Sequence, residues 1–136
     1  MESSQRPPPP CALVVEGETL VRMDAADILE DAGFRVLEAP TGDKAVELLR
    51  QHHHEITLLF TAVKLQGQHD GFALARMIAS DYSHISVVVA SGHHKPKSSD
   101  MPEVACFIDK PFSAGIVHRH LQRIMPDDKK PAPLKS

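Results

Sequence analysis

The sequence predicts an α/β domain in which a parallel sheet is covered by helices on both faces. Three observations lead there. Five short apolar runs alternate with segments of helical period, the pattern that strand–helix–strand crossovers produce. The central run, ITLLFTAVKLQ at 56–66, begins unbroken through Leu58, Leu59 and Phe60 and ends in small and polar residues before Gly67, which suits a strand buried on both faces. The 136 residues are enough for one domain with a substantial core. In open sheets of this kind ligands bind at the carboxyl ends of the strands, so chemistry is expected at the end of the central one. Thr61, Ala62 and Val63 stand there, with no carboxylate, thiol or imidazole among them.

Residues 1–10, MESSQRPPPP, form a proline-rich arm expected to be extended and disordered. CALVV at 11–15 reads as the first strand, closed by Glu16, Gly17 and Glu18. A helix follows, with Val21, Ala25, Ile28, Leu29 and Ala32 at helical spacing and Arg22, Asp24, Asp27, Glu30 and Asp31 facing mostly outward. Gly33 ends it with a left-handed cap. The second strand spans 34–38. Thr41 caps a helix that turns Ala45, Leu48 and Leu49 inward, and His52, His53 and His54 occupy the turn before the central strand. Beyond the polar loop GQHD at 67–70, Asp70 caps a third helix whose buried stripe is Leu74, Met77 and Ile78. ISVVVA at 85–90 is the fourth strand, ending at Ser91 and Gly92. The segment 93–102 holds two prolines and two serines, which predicts a loop with one short turn in place of a full helix. A fifth strand runs over 104–108, and after DKPF at 109–112 Ser113 caps a last helix carrying Ile116, Val117, Leu121 and Ile124 inward. The domain therefore covers 11–125, followed at 126–136 by a tail whose composition predicts disorder.

A formal charge of −3 and a pI near 6.3 leave no basic excess for nucleic acid. With no Trp and one Tyr there is no platform for stacking bases. No apolar segment approaches the roughly 20 residues of a membrane span, and the N-terminus lacks an apolar signal core. A cytoplasmic protein is expected. Cys11 and Cys106 sit inside apolar runs, so two buried free thiols are expected rather than a disulfide.

Four stretches carry a more specific signal: LVVEGETLVR at 13–22, LLFTAVKLQGQHDG at 58–71, VVVASGH at 87–93 and FIDKPF at 107–112. In order and spacing they resemble, over roughly residues 11–125, the receiver domain of bacterial response regulators. They are similar, in turn, to its first strand and acidic turn, its phosphoacceptor strand and loop, its fourth strand ending in a hydroxyl residue, and its Lys–Pro signature. The resemblance implies a flavodoxin-like, doubly wound sheet of order 2-1-3-4-5, here with the fourth helix short or replaced by a loop.

Receivers take a phosphoryl group from a kinase histidine onto an aspartate beside Mg²⁺. The ion needs converging carboxylates, while a lysine and a hydroxyl orient the phosphoryl oxygens. On this resemblance Glu16 fits the first acidic position, Ser91 the hydroxyl, Lys110 the lysine, Pro111 the proline after it and Phe107 the switch aromatic. Gly17 stands where the second acid would be, Ala62 where the phosphorylated aspartate would be, and Gln66 replaces a loop proline. Alanine carries no nucleophile, so the resemblance implies a degenerate phosphorylation site with no catalytic residue. One carboxylate of three remains, so no cofactor is expected and Mg²⁺ binding should be weak or absent. Glu16 and Lys110 are then expected to pair in a near-neutral pocket and hold one conformation. An engineered exchange would account for Ala62 alone; natural divergence accounts for Gly17 and Gln66 as well.

No enzyme is expected. The leading function is that of a single-domain, receiver-like protein of two-component signalling, acting by phosphorylation-independent contact with a histidine kinase, another response regulator or a second copy of itself. The alternative is a phosphorelay regulator phosphorylated at a non-standard acceptor. Thr61 is adjacent to Ala62 and so points to the opposite face, and Ser91 with Lys110 reads as a remnant of phosphate coordination rather than a nucleophile pair. His52 to His54 and the pair His93 and His94 fall in loops without the cysteines or spaced carboxylates of a zinc motif. His118 and His120 are two apart on a helix and face different ways. No metal site is expected. With the fourth helix reduced, the first and last helices are the better interface candidates, and with no output domain after residue 125 any effect is expected to pass through a partner.

Overall fold

The computed structural model describes residues 9–92, 101–102 and 105–135. Its elements are β1 (Cys11–Val15), α1 (Thr19–Asp31), β2 (Arg35–Ala39), α2 (Gly42–His52), β3 (Ile56–Ala62), α3 (Gly71–Asp81), β4 (Ser86–Ser91), β5 (Cys106–Asp109) and α4 (Ala114–Ile124). The five strands pair in parallel in the order β2-β1-β3-β4-β5, as the sequence predicts. The reduced fourth helix falls largely on 93–100, which lies outside the described residues, as does the arm at 1–8.

Alternation of side chains sorts the core into two layers. Leu13, Val15, Leu59, Val87 and Val89 point to the face covered by α2 and α3. Ala12, Val14, Leu58, Phe60, Val88, Ala90 and Ile108 point to the face covered by α1 and α4. β1 and β3 lie between neighbours on both edges, and every residue of β1 is fully buried. The register between them slips once, Cys11 pairing with Ile56 but Ala12 with Leu58. That irregularity places Ile56 and Leu59 on the same layer despite their odd spacing.

Helix starts follow the sequence. Thr41, Asp70 and Ser113 accept hydrogen bonds from the backbone N–H of Lys44, Ala73 and Ile116, at 3.1, 2.8 and 3.2 Å. Gly33 ends α1 at φ +108°, where a side chain is strained. Gly71 matters for a different reason: a Cβ there would collide with the Ala62 carbonyl. Its N–H donates to Val63 O at 2.8 Å, so α3 begins hard against the end of β3.

Three expectations need correction. Ile116 does not face inward; it is 39 % exposed, and Val117 and Leu121 anchor α4 instead. Met77 is only partly buried, the stripe of α3 being Gly71, Leu74, Ala75 and Ile78. The third concerns the tail. Residues 126–135 form two 3₁₀ turns, Asp127–Lys129 and Ala132–Leu134, and Leu134 is buried in the α1–α4 layer. Composition misses this because the slot depends on another residue's missing side chain: Pro131 and Pro133 lie where a Cβ on Gly33 would be. Prolines leave little chain entropy to lose, so burial of Lys130, Pro131 and Leu134, with the Lys130–Asp127 ion pair at 3.0 Å, holds the segment.

Leu134→Ala should therefore lower unfolding stability by about 2 kcal/mol, and Gly33→Ala by more than about 1 kcal/mol, in urea titrations. A solvated tail would leave the first of these without effect.

Candidate functional site at the carboxyl edge of the sheet

A cleft opens at the carboxyl ends of the strands, lined among others by Glu16, Gly17, Ala62, Ser91, Lys110 and Pro111. The sequence-predicted site residues thus converge. Glu16 follows β1, and its backbone N–H donates to Ala39 O at 3.1 Å, tying it to the end of β2. Ala62 ends β3, in register with Ala90, and is nearly buried. Ser91 ends β4 and is buried; its carbonyl accepts from the Lys110 N–H at 3.1 Å, which extends the β4–β5 ladder by one bond. The Lys110–Pro111 peptide is cis.

The centre of the cleft is an ion pair. Lys110 Nζ donates to Glu16 Oε1 at 2.6 Å, with the two side chains 24 % and 8 % exposed. Glu16 Oε2 accepts the Glu18 N–H at 3.0 Å, so both carboxylate oxygens are engaged. Arg22 braces the same turn, donating to Glu16 O at 2.8 Å and pairing with Glu38 at 3.1 Å. Below, Phe60 and Phe112 meet edge to face at 5.3 Å. Sequence reasoning missed Arg22, whose role shows only once α1 brings it over the end of β2.

Magnesium asks for several hard oxygen ligands in near-octahedral geometry. Glu16 is already bonded to a lysine and an N–H. Although Glu18 and Asp24 also line the cleft, no group of three or more His, Cys, Asp or Glu converges among the described residues, so the donor set does not fit the ion. Gly17 would leave room for more, since a Cβ there meets only Pro40 O at 3.6 Å. Thr61, by contrast, is fully buried and donates its hydroxyl to Ala62 O at 2.8 Å. Phe107 is half-buried against the α2–α3 layer.

The loop after β3, which carries Gln66, is tied down from α2. Asp43 Oδ1 lies 3.0 Å from the Gln68 N–H and 3.0 Å from His69 Nδ1. The His69 hydrogen bond, and then that of Gln68, hold the Asp43 carboxyl below the usual carboxylate range. The partners are too far apart in the chain for sequence reading to join them.

The remaining titratable groups sit elsewhere. Cys11 is buried and Cys106 only half-buried, a partial departure from expectation; neither forms a disulfide, and burial pushes both thiols up. The His53 ring lies 3.9 Å from His54 and 4.9 Å from Tyr82, at the edge opposite the cleft. Desolvation, then the neighbouring charges of His54 and His84, depress its pKa. Desolvation, then Arg123 and Arg119, do the same to His120. Among the described residues no group of three or more His, Cys, Asp or Glu is placed to hold a metal, while His93 and His94 lie outside those residues. Within the same limits no helix is long and apolar enough to cross a membrane.

The family profile for the response regulator receiver domain matches residues 12–122, and the chain belongs to that family. It is 32 % identical over 105 residues to the transcriptional regulatory protein PdtaR of Mycobacterium tuberculosis, covering 74 % of this chain and 49 % of that protein. It is 30 % identical over 104 residues to the sensor kinase CckA of Brucella abortus, covering 74 % of this chain and 11 % of the kinase. The chain thus spans about half the length of the first relative and about a tenth of the second. A receiver protein from Sinorhizobium medicae has the same fold, with a TM-score of 0.78 and 24 % identity over 85 % of this chain and 93 % of that one.

Two outcomes follow from the site and its surroundings. In a double-mutant cycle, Glu16→Gln and Lys110→Met should show a coupling energy of about 1–2 kcal/mol in chemical denaturation, because either change alone strands a largely buried partner. In an NMR pH titration, His53 and His120 should protonate below the ordinary value of about 6.5. Their neutral forms are favoured by folding, so this contribution to stability is complete above that pH and is lost as pH falls through the folded values.

Proposed function

We propose that this receiver domain of two-component signalling works without accepting a phosphoryl group, by binding a partner protein in its resting conformation. The observation that carries the reading is Ala62, a methyl group at the end of β3 in the cleft that Glu16 and Lys110 close. Phosphoryl transfer to a receiver needs a carboxylate there and an ion to offset the charge that builds on the phosphoryl oxygens. Alanine cannot form an acyl phosphate. With Gly17 in place of a second acid, Mg²⁺ binding is expected to be weak or absent. Lys110, which would otherwise meet the phosphoryl group, is taken by Glu16.

The alternative acceptors are poorly placed. Thr61 is fully buried with its hydroxyl committed to Ala62 O, and Ser91 is only 7 % exposed. The relatives' names, a sensor kinase and a transcriptional regulatory protein, favour a histidine kinase or another response regulator as partner, and with such a partner the module would work in the cytoplasm. Such a module would hold a kinase or compete with an active regulator, and would itself catalyse nothing.

Incubation with Mg²⁺ and a small-molecule phosphoryl donor, followed by intact-mass measurement, tests the reading. The chain should gain no mass, whereas an Ala62→Asp/Gly17→Asp variant should take up one phosphoryl group. A phosphorylated parent would overturn the proposal. A variant that folds but stays unmodified would show that the scaffold has lost more than two residues' chemistry.

A further inference from the structure

α1 and α4 cover the same sheet face side by side, joined by the His118 ring, whose Nε2 lies 3.4 Å from Ile28 O. Their outward surfaces carry opposite charge. On α1 the exposed residues include Asp24, Asp27, Glu30 and Asp31. On α4 they include Arg119 and Arg123, and the helix contains no acid. Among the described residues none of these acids joins an ion pair, and neither arginine pairs with a carboxylate; Arg123 donates to His120 Nδ1 at 2.9 Å. Apolar surface lies among the charges: Leu20, Met23 and Ile116 are 80, 51 and 39 % exposed.

We propose that a second copy of this chain docks on this face, as a two-fold dimer in which α1 of each copy lies along α4 of the other. Charge selects the geometry. Both helices follow parallel strands and run back in the same direction, and the His118–Ile28 contact sets Arg119 and Arg123 level with the C-terminal half of α1. A two-fold axis parallel to the helices preserves that level and brings Asp27, Glu30 and Asp31 of one copy against Arg119 and Arg123 of the other, twice over. An axis across the helices would stack α1 on α1 and set acid against acid, which is repulsive. Leu20 and Asp24 also border the cleft, but the charges that select the geometry, Asp27, Glu30, Asp31, Arg119 and Arg123, lie outside its lining, and the inference does not rest on the loss of phosphotransfer.

Sedimentation of the full chain, from micromolar to submillimolar concentration, tests it. At low ionic strength the mass should approach twice 14.9 kDa, and dimerisation should weaken at about 0.5 M salt as the exposed charges are screened. Asp27→Lys/Asp31→Lys and Arg119→Glu/Arg123→Glu should each raise the dissociation constant about tenfold or more, since the two-fold repeats every lost pair. Circular dichroism checks that both variants fold. Mixed in equal amounts they should associate again, because the reversed α1 of one meets the reversed α4 of the other. A parent that stays monomeric at the highest concentration, a dimer indifferent to both variants, or folded variants that fail to associate when mixed would each overturn the proposal.

Discussion

The contact between Glu16 and Lys110 joins the turn after β1 to the segment after β5 across the mouth of the sheet, and the neighbouring groups are arranged to support it. Burying a carboxylate to this degree costs free energy unless its oxygens are bonded. One oxygen meets the lysine and the other the Glu18 N–H. Arg22 holds the carbonyl of the same residue and reaches Glu38 in β2. The lysine is presented from its own side by the extra ladder bond to Ser91 O. The pair is therefore the closing member of a bonded frame that runs from β2 to β5.

That frame sits on a sheet whose two layers are fixed independently of it. The α2–α3 layer anchors the loop after β3 through Asp43, and Gly71 lets α3 start against the Ala62 carbonyl. The α1–α4 layer is completed from beyond the domain's last helix, where Leu134 joins the core and Pro131 and Pro133 pass over Gly33. The first arrangement fixes the backbone at Ala62 itself, and the second fixes the helix layer at the other end of the sheet. Rigid elements on either side of a site are what a preorganised docking module needs.

How much of this is legible in the sequence depends on the range of the cause. The alternation of strands and helices and the caps follow from local pattern. Strand order and the convergence of Glu16, Ala62, Ser91 and Lys110 follow from the family resemblance, and the Glu16–Lys110 contact from counting charges at the place that resemblance names. Ile116 is misread because its position is inferred from composition along a helix whose stripe is narrow; only Val117 and Leu121 are fully buried. The tail is misread because Pro131 and Pro133 pack where Gly33, about a hundred residues earlier, lacks a side chain, which lets Leu134 reach the core. Asp43 with His69, and Arg22 with Glu38, depend on side-chain reach between elements, which no periodicity encodes.

Charge balance decides how such a cleft can participate in signalling. A receiver site with several carboxylates carries excess negative charge, so binding a cation and then a phosphoryl group changes its electrostatics strongly and can drive a conformational change. Here the buried carboxylate of Glu16 is neutralised by Lys110, and Glu18 and Asp24 at the rim are accompanied by Lys64, so little of that excess remains. A ligand shifts a conformational equilibrium only by its difference in affinity for the two states. On the proposed reading, with the buried carboxylate neutralised by Lys110 and no carboxylate at position 62 to take a phosphoryl group, the cleft offers little such difference. On the same reading, information passes through the outer faces of the helices, where Asp27, Glu30, Asp31, Arg119 and Arg123 are exposed.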